Sequence, residues 1–274
     1  MATMQRAHMI PAYFKRVHDG FEPLDLARSD WSADQLHGVA ISGLLACAAE
    51  DTLTDMDRPD FVPARFHVDL FRPSRATTTT TRVEVVRSSK RLTLVDVGLW
   101  QGEEKTARAS ALFLAPSENP EGEIWQPTDR GTPPPPDIAP LSDQPAAPAI
   151  ASEKPWSRDF TEHQNGGRRS IWHTMVPVIL DEPGSTFQAV ASCADTASMV
   201  TNWGSAGVAY INTDISLTLA RRPSGLGIGM RALDHVQYDG VAVSTAEVFD
   251  RTGPLGTASV TALANARRTI DFSG

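Results

Sequence analysis

One carboxylate stands where an amphipathic helix would normally carry an apolar residue. Asp195 has Ala191 and Met199 one turn away on either side, within a stretch of apolar residues at helical spacing. A carboxylate on a buried helix face must accept hydrogen bonds, hold a water molecule or take up a proton, because an unpaired buried charge is costly. Each of these makes it a candidate general acid or base. We therefore predict that Asp195 is catalytic, with a cap or ion pair at the helix edge as the alternative.

A second polar group, Asn212-Thr213-Asp214, begins the strand that follows this helix. With side chains alternating along a strand, Asn212 and Asp214 are predicted to point to the same face. If that face meets the helix, Asn212 could orient a water molecule against Asp195. If it meets solvent, the three residues form an ordinary exposed strand face.

The sequence lacks many common catalytic motifs. It has no GxSxG nucleophile motif, no phosphate-binding Walker A motif, no CxxC and no HExxH. Its two cysteines, Cys47 and Cys193, lie in apolar helical patterns and are predicted to be buried thiols rather than a disulfide or metal ligands. No metal and no cofactor are therefore predicted.

Composition and charge exclude several classes of function. The 274-residue chain has 25 basic and 33 acidic side chains and a formal net charge of -8, which disfavours a nucleic-acid partner. Its longest nearly apolar run, residues 38–49, is well short of the ~20 residues that span a bilayer. The N-terminus lacks the apolar segment of a secretory signal. The sequence predicts a cytoplasmic protein without membrane insertion.

The order of predicted elements occurs twice along the chain. Ser32-Ala33-Asp34-Gln35 and Ser185-Thr186-Phe187-Gln188 each read as a helix capping box, before predicted helices at about 35–51 and 187–203. Superposing the two boxes places Ser42 opposite Asp195. Because a serine replaces the carboxylate in the first half, a carboxylate-dependent site should exist once.

Strands with alternating apolar residues follow each helix. They are predicted at 64–73, 79–87, 91–100 and 106–115 in the first half, and at 216–223, 227–236, 241–249 and 255–268 in the second. A long helix followed by a four-stranded antiparallel meander, present twice, predicts an α+β protein in which each sheet wraps its own helix.

A proline-rich segment separates the two halves. Residues 118–155 contain ten prolines, which favour an extended chain on the surface. We predict an N-terminal half at 1–115, a linker at 116–155 and a C-terminal half at 156–274. The alternative is that part of the linker packs across the domains, anchored by Ile124 and Trp125.

Several strings together resemble one family. SCADTAS, YINTDISLTLARRP and FDRTGPLGTAS in the second half, with FHVDLFRP and DVGLW in the first, are similar to double-hotdog acyl-CoA thioesterases. They most resemble the thioesterase-like branch of the acyl-CoA thioesterase II family, over about 15–115 and 156–268. The resemblance implies two helix-wrapping sheets joined into one layer, and hydrolysis of acyl-CoA or a related acyl thioester. Family members commonly associate further, so a monomer and a homo-oligomer both stay open.

The resemblance also implies roles for particular residues. Asp195 matches the aspartate that activates water, and Asn212 matches an assisting residue on the next strand. The family's glutamine on the last strand has no counterpart in Ser259-Val260-Thr261-Ala262, so Thr261 would have to substitute for it. Thr213, beside Asn212, is assigned to substrate binding.

Other substrate contacts are predicted from chemistry. A backbone N–H near His37-Gly38 would stabilise the oxyanion, since a glycine lets the thioester carbonyl approach the backbone. Trp172 either lines the acyl pocket or fills the core. The phosphates of CoA would meet arginines, or these are ordinary surface residues: Arg72, Arg75, Arg221 and Arg222.

Two alternatives to a hydrolase remain. The missing glutamine favours a catalytically silent double-hotdog protein that binds acyl-CoA or another lipid-like ligand. A hydratase acting on enoyl-CoA is disfavoured, because His37 has no nearby aspartate at a helix start except Asp34.

Overall fold

The computed structural model describes residues 11–29, 32–265 and 269–272. Three α-helices are present: α1 (Gly38–Asp55), α2 (Thr186–Ala194) and α3 (Thr196–Asn202). Two short 3-10 helices lie at Asp25–Ala27 and Phe160–His163. The first-half strands are β1 (Phe14–Val17), β2 (Gly20–Pro23), β3 (Arg28–Ser29), β4 (Ser32–Leu36), β5 (Val62–Asp69), β6 (Thr80–Ser88), β7 (Leu92–Gln101) and β8 (Glu104–Leu114). The remaining strands are β9 (Ala146–Ala151), β10 (Ser170–Thr174), β11 (Trp203–Gly204), β12 (Gly207–Val208), β13 (Tyr210–Asn212), β14 (Asp214–Leu219), β15 (Gly227–Tyr238), β16 (Val241–Asp250) and β17 (Gly253–Ala264).

Eleven strands form one antiparallel sheet shared by both halves. Its order is β6-β7-β8-β5-β14-β17-β16-β15-β10-β9, with β13 also paired to β17. The halves meet where β5 pairs with β14, in a register that places Phe66 opposite Leu217. On either side of this junction the order is the same, β5-β8-β7-β6 in one direction and β14-β17-β16-β15 in the other. The predicted repeat and the α+β class are confirmed.

The start of the first helix differs from the prediction. Ser32 and Gln35 lie in strand β4, so they form no capping box, and α1 begins at Gly38 with His37 as its N-cap. The second capping box is confirmed. The Ser185 hydroxyl oxygen accepts from the backbone N–H of Gln188, and the Gln188 side-chain oxygen accepts from the backbone N–H of Ser185. Counted from these true N-caps, the residue of α1 that matches Asp195 is Cys47 rather than Ser42.

The helices pack against each other and against the concave face of the sheet. Phe187, on α2, makes edge-to-face contacts with Phe66 at 5.5 Å and Phe113 at 5.6 Å between ring centroids. All three rings are fully buried. Because Phe66 and Phe113 belong to the first half, this aromatic cluster joins the two halves through one core.

The proline-rich segment is only partly a surface linker. The anchors of the alternative reading are wrong, since Ile124 and Trp125 are 80% and 84% exposed. Contact with the second half is made instead by Arg130, which pairs with buried Glu247 at 3.0 Å. The segment predicted as 116–155 also contains β9, which pairs with β10 at the sheet edge. Among the described residues, no helix is both long and apolar enough to cross a membrane.

Candidate active site

Asp195 is the single residue between α2 and α3, and its backbone remains helical at φ -61° and ψ -30°. The Asn212 side-chain amide donates to Asp195 Oδ1 at 2.9 Å. The backbone N–H of Val39, in the first turn of α1, donates to the same carboxylate. One carboxylate of the second half is therefore held between a strand amide and the N-terminus of the helix of the first half, where the helix dipole favours negative charge.

Glycine at position 38 makes this approach feasible. A Cβ atom on Gly38 would lie 2.2 Å from Asp195 Oδ1 and 2.7 Å from Oδ2. Any side chain there would displace the carboxylate. The structure thus gives Gly38 a role in receiving Asp195, in addition to the oxyanion role predicted from the sequence.

The environment shifts the acidity of Asp195. Burial raises its pKa, because the charged form loses its water shell, whereas the Asn212 hydrogen bond and the Val39 N–H act in the opposite direction. Burial is the largest effect, so the pKa lies above the ordinary carboxyl range. A carboxylate with a raised pKa is a better proton acceptor near neutral pH.

His37 has a structural role in this geometry. Its Nδ1 accepts from the Ala40 N–H at 3.0 Å, and its Nε2 lies 2.6 Å from the Leu26 carbonyl oxygen. An N–H donor facing one nitrogen and a carbonyl facing the other require the neutral tautomer with the proton on Nε2. Both ring nitrogens are thus engaged, and the His37 side chain caps the helix. The sequence prediction concerned the backbone N–H groups near His37-Gly38, of which the His37 N–H donates to the Ala27 carbonyl.

The first turn of α1 leaves one amide uncommitted. The His37 N–H donates to the Ala27 carbonyl, the Val39 N–H to Asp195 and the Ala40 N–H to His37 Nδ1. The Gly38 N–H has no acceptor among the residues described by the structure. Its oxyanion role stays a prediction, because His37 and Val39 line the cavity beside Asp195 and Gly38 does not.

Asp195 and Asn212 line a cavity of about 380 Å³. Its walls are largely apolar, with Val39, Met175 and Met199 among them. The volume is within the range of small-molecule sites. A larger concavity of about 590 Å³ shares Tyr210 with it but contains none of the predicted catalytic residues.

A break in the strand alternation separates Asn212 from Asp214. The chain is irregular at Thr213, between β13 and β14. Asn212 faces the helix, whereas Asp214 accepts from the Thr261 hydroxyl, and Thr213 Oγ1 lies 2.9 Å from Thr261 Oγ1. The prediction that Asn212 and Asp214 share a face is wrong, because the irregularity at Thr213 reverses the alternation.

Thr213 and Thr261 are consequently not at the candidate site. On β17 the buried residues near this point are Ala258, Val260 and Ala262, so Thr261 belongs to the opposite face. Ala262 pairs with Asn212. The last strand therefore presents apolar side chains toward the helix beside Asn212, and Thr261 does not replace the missing glutamine.

Trp172 is also elsewhere. It packs against Phe249, with ring centroids 6.1 Å apart, in a small separate cluster beneath the proline-rich segment. This is the core role that the sequence left open. The predicted CoA-binding arginines are all engaged in ion pairs: Arg72 with Glu104, Arg75 with Asp34, Arg221 with Asp250 and Arg222 with Glu50.

The polar residues of the cavity that the sequence analysis did not assign include Tyr13 and His173. Burial raises the pKa of the Tyr13 hydroxyl, with the nearby Cys193 and Asp195 adding to the effect. Its ring meets that of His37 edge-on at 5.4 Å. Tyr13 precedes the first repeat, where no periodicity signals a functional role. The described residues contain no cluster of potential metal ligands.

The equivalent position in the other half holds a carboxylate in an ion pair. Near Cys47, the matching helix terminus is that of α2, where the Glu50 carboxylate accepts from the Ser185 hydroxyl and from Gln188 Nε2 at 3.3 Å. Arg222 pairs with Glu50 at 3.0 Å. A small space of about 10 Å³, room for one water molecule at most, is lined by Ser185 and Gln188 at this terminus but not by Glu50 or Cys47.

Comparisons with known proteins bear on the family and the fold. Residues 27–114 match the family model described as the acyl-CoA thioesterase N-terminal domain. None of the curated proteins matches the chain.

Several solved structures share the fold. A TesB protein from Mycobacterium avium subspecies paratuberculosis is 19% identical, with 92% of this chain and 95% of that chain covered and a TM-score of 0.64. The acyl-CoA thioesterase II TesB2 of Mycobacterium marinum is 17% identical, covering 83% and 90%, with a TM-score of 0.57. A hotdog-fold protein of unknown function from Alicyclobacillus acidocaldarius is 14% identical, covering 92% and 95%, with a TM-score of 0.60.

Proposed function

Since residues 27–114 belong to the acyl-CoA thioesterase N-terminal domain family and the whole chain has the double-hotdog fold of thioesterase II proteins, we propose that this protein hydrolyses acyl-CoA thioesters with Asp195 as general base. The observation that carries the proposal is the buried carboxylate of Asp195, held by Asn212 and the Val39 N–H on the wall of an apolar cavity.

The chemistry needs a water molecule, a base and a donor for the oxyanion. Water attacks the thioester carbonyl while Asp195 accepts its proton, and the Asn212 side-chain oxygen accepts a second hydrogen of that water. The Gly38 N–H donates to the carbonyl oxygen as negative charge develops there. When the tetrahedral intermediate collapses, the C–S bond breaks, the sulfur leaves with the proton, and the products are a carboxylic acid and free CoA.

The last strand contributes no polar group to this arrangement. Val260 and Ala262 face the helix, so the water is oriented by Asp195 and Asn212 without help from β17. Loss of one orienting or stabilising donor typically costs ~10²- to 10³-fold in rate. We therefore propose a slow hydrolase, and the apolar pair Val260 and Ala262 also supports the second candidate, a protein that binds acyl-CoA without turning it over.

Release of free CoA thiol tests the proposal directly. Wild-type protein, Asp195→Asn and Asn212→Ala are compared on acyl-CoAs of short, medium and long chain. Removing the base should lower kcat by ~10²- to 10⁴-fold. Asp214→Asn is the matched control, because it removes a carboxylate just two residues from Asn212 but on the opposite face of the sheet.

Two results would count against hydrolysis. An Asp195→Asn variant that keeps wild-type kcat would rule out this residue as the base. Absence of thiol release from every chain length, together with saturable binding of acyl-CoA, would leave the non-catalytic binding protein. The cytoplasmic location and the three-part division of the chain stay predictions.

A further inference from the structure

Tyr13 lies on the wall of the candidate active site, although it precedes the first repeat in the chain. It lines the same cavity as Asp195 and Asn212. Its ring meets the His37 ring edge-on, with 5.4 Å between the centroids. His37 is the N-cap of α1, and a Cβ atom on the next residue, Gly38, would lie 2.2 Å from Asp195 Oδ1. Tyr13 therefore belongs to the part of the cavity that contains the proposed general base.

The backbone of Tyr13 is fixed by hydrogen bonds on both sides. The Tyr13 N–H donates to the Pro177 carbonyl at 3.3 Å, and the Tyr13 carbonyl accepts from the Leu24 N–H at 2.8 Å. The next residue, Phe14, is fully buried and makes two more backbone hydrogen bonds, to the segment 178–180 between β10 and α2. The second half thus holds this N-terminal residue in place. A donor fixed in this way needs no reorganisation when charge develops beside it.

The hydroxyl of Tyr13 is uncommitted and accessible. No residue that the structure describes forms a hydrogen bond with it. It nevertheless retains accessible surface, whereas the unpartnered Nε2 of His173 does not. Because Tyr13 as a whole is only 7% exposed and lines the cavity, that surface faces the cavity.

The hydroxyl lies near Asp195 without being bonded to it. Burial raises the pKa of the Tyr13 hydroxyl, and the nearby Cys193 and Asp195 raise it further. The hydroxyl therefore keeps its proton at working pH and acts as a hydrogen-bond donor. Two groups that face one cavity with no bond between them leave room for a third. A thioester carbonyl placed there has the carboxylate that activates water on one side and a donor on the other.

We propose that the Tyr13 hydroxyl donates a hydrogen bond to the thioester carbonyl oxygen as negative charge develops on it. This inference rests on the proposed function, because it assumes that the acyl-CoA reacts beside Asp195. Tyr13 stabilises the oxyanion and takes no part in proton transfer. Unlike Gly38, whose N–H the proposed hydrolysis uses as a donor, Tyr13 lines the cavity itself.

Thiol release by wild-type protein, Tyr13→Phe and Tyr238→Phe tests the catalytic role. Tyr13→Phe removes only the hydroxyl and keeps the ring that contacts His37. Loss of one oxyanion donor should lower kcat by ~10²- to 10³-fold and leave KM within about threefold. Tyr238→Phe is the matched control, since Tyr238 is 79% exposed and does not line the cavity, and it should keep wild-type kcat. The Tm of both variants should stay close to that of wild type, because neither substitution removes a hydrogen bond within the described structure.

Two inert analogues give a readout that does not require turnover. One is a plain octyl-CoA thioether, which has no carbonyl, and the other is a CoA thioether that carries a ketone one carbon from the sulfur. In calorimetry, Tyr13→Phe should weaken binding of the ketone about two- to tenfold and leave Kd of the plain thioether unchanged. A tyrosine that only shapes the cavity would instead change Kd of both analogues alike.

The two proposals fail in different ways. If Tyr13→Phe keeps wild-type kcat while Asp195→Asn lowers it, the role of Tyr13 is refuted and hydrolysis through Asp195 stands. If no acyl-CoA is hydrolysed by wild-type protein, hydrolysis is refuted and the analogues decide the role of Tyr13. Selective weakening of the ketone then supports a donor to the carbonyl, and an equal effect on both analogues, or none, refutes it.

Discussion

Replacing Gly38 with alanine should inactivate the protein without unfolding it. Alanine fits the backbone, because Gly38 does not adopt the left-handed conformation that favours glycine. It also favours a helix over glycine by roughly 0.5–1 kcal/mol. The added methyl group, however, would lie 2.2 Å from Asp195 Oδ1.

The size of the effect follows from this distance. Ordinary contact for a Cβ atom begins at 3.4 Å, so the carboxylate must retreat by about 1.2 Å. A movement of that size breaks the 2.9 Å hydrogen bond from Asn212 or the one from the Val39 N–H. A misplacement of ~1 Å in a catalytic group can cost about 10²-fold. We expect kcat/KM to fall ~100-fold, equivalent to about 2.7 kcal/mol.

A double-mutant cycle isolates the steric cause. In wild-type protein, Gly38→Ala is measured by thiol release and by urea unfolding, and the substitution is then repeated in an Asp195→Ala background. Without the carboxylate there is nothing to displace, so the alanine should become neutral or stabilising. Gly184→Ala is the matched control, since this glycine also lies next to a helix N-cap residue, Ser185, but its Cβ would meet its nearest atom at 3.7 Å.

The result that would refute the reasoning is retained activity. If Gly38→Ala keeps kcat/KM within threefold or so of wild type, the carboxylate does not need this contact with the helix terminus. An equal loss of stability in both backgrounds would likewise show that the methyl group clashes with something other than Asp195.

Three further predictions concern stability. Burial raises the pKa of Asp195, so this carboxyl group binds a proton more tightly in the folded protein than in the unfolded chain. As the pH rises from about 4 toward neutrality, the Tm of the wild type should therefore fall relative to that of Asp195→Asn. Burial alone would raise the pKa of Asp250, but its hydrogen bonds, chiefly from Arg221, lower it well below the ordinary range. Asp250→Ala should therefore cost about 3–5 kcal/mol in urea unfolding at neutral pH, and less as the pH falls below the carboxyl range. Phe187→Ala should cost about 3–5 kcal/mol and unfold both halves in one transition, seen as coincident fluorescence and circular dichroism curves.

The sequence predicted the features that depend on residues close together in the chain. The eight repeated strands follow from alternation of apolar residues, and the capping box at Ser185 from a short-range exchange of hydrogen bonds. Asp195 could be singled out because a carboxylate on an apolar helix face is unfavourable unless it has a function or a partner. Its partner in the other half is the backbone N–H of Val39. The Val39 side chain does not indicate this contact, so the sequence could not predict it.

The errors arose where long-range packing overrides the local pattern. Strict alternation places Asn212 and Asp214 together, but the irregularity at Thr213 turns Asn212 toward the helix. Ser32 and Gln35 have the residue types of a capping box, yet they pair as strand β4 with Arg28–Ser29. His173 gave no signal because a single histidine in a strand is ordinary, and its missing partner is visible only in three dimensions.

Both halves have a carboxylate near a helix N-terminus, and the two halves differ in what surrounds it. Each long helix directs its N-terminus at a carboxylate from the other half, Asp195 for α1 and Glu50 for α2. Glu50 is paired with Arg222, whereas Asp195 is paired with the neutral Asn212 amide and lines a cavity of about 380 Å³. A carboxylate on the wall of a cavity can meet a substrate, whereas the Glu50 carboxylate is engaged by an arginine. A functional site at one terminus and a structural ion pair at the other are therefore two uses of the same helix-terminus interaction, distinguished by a cation and a cavity.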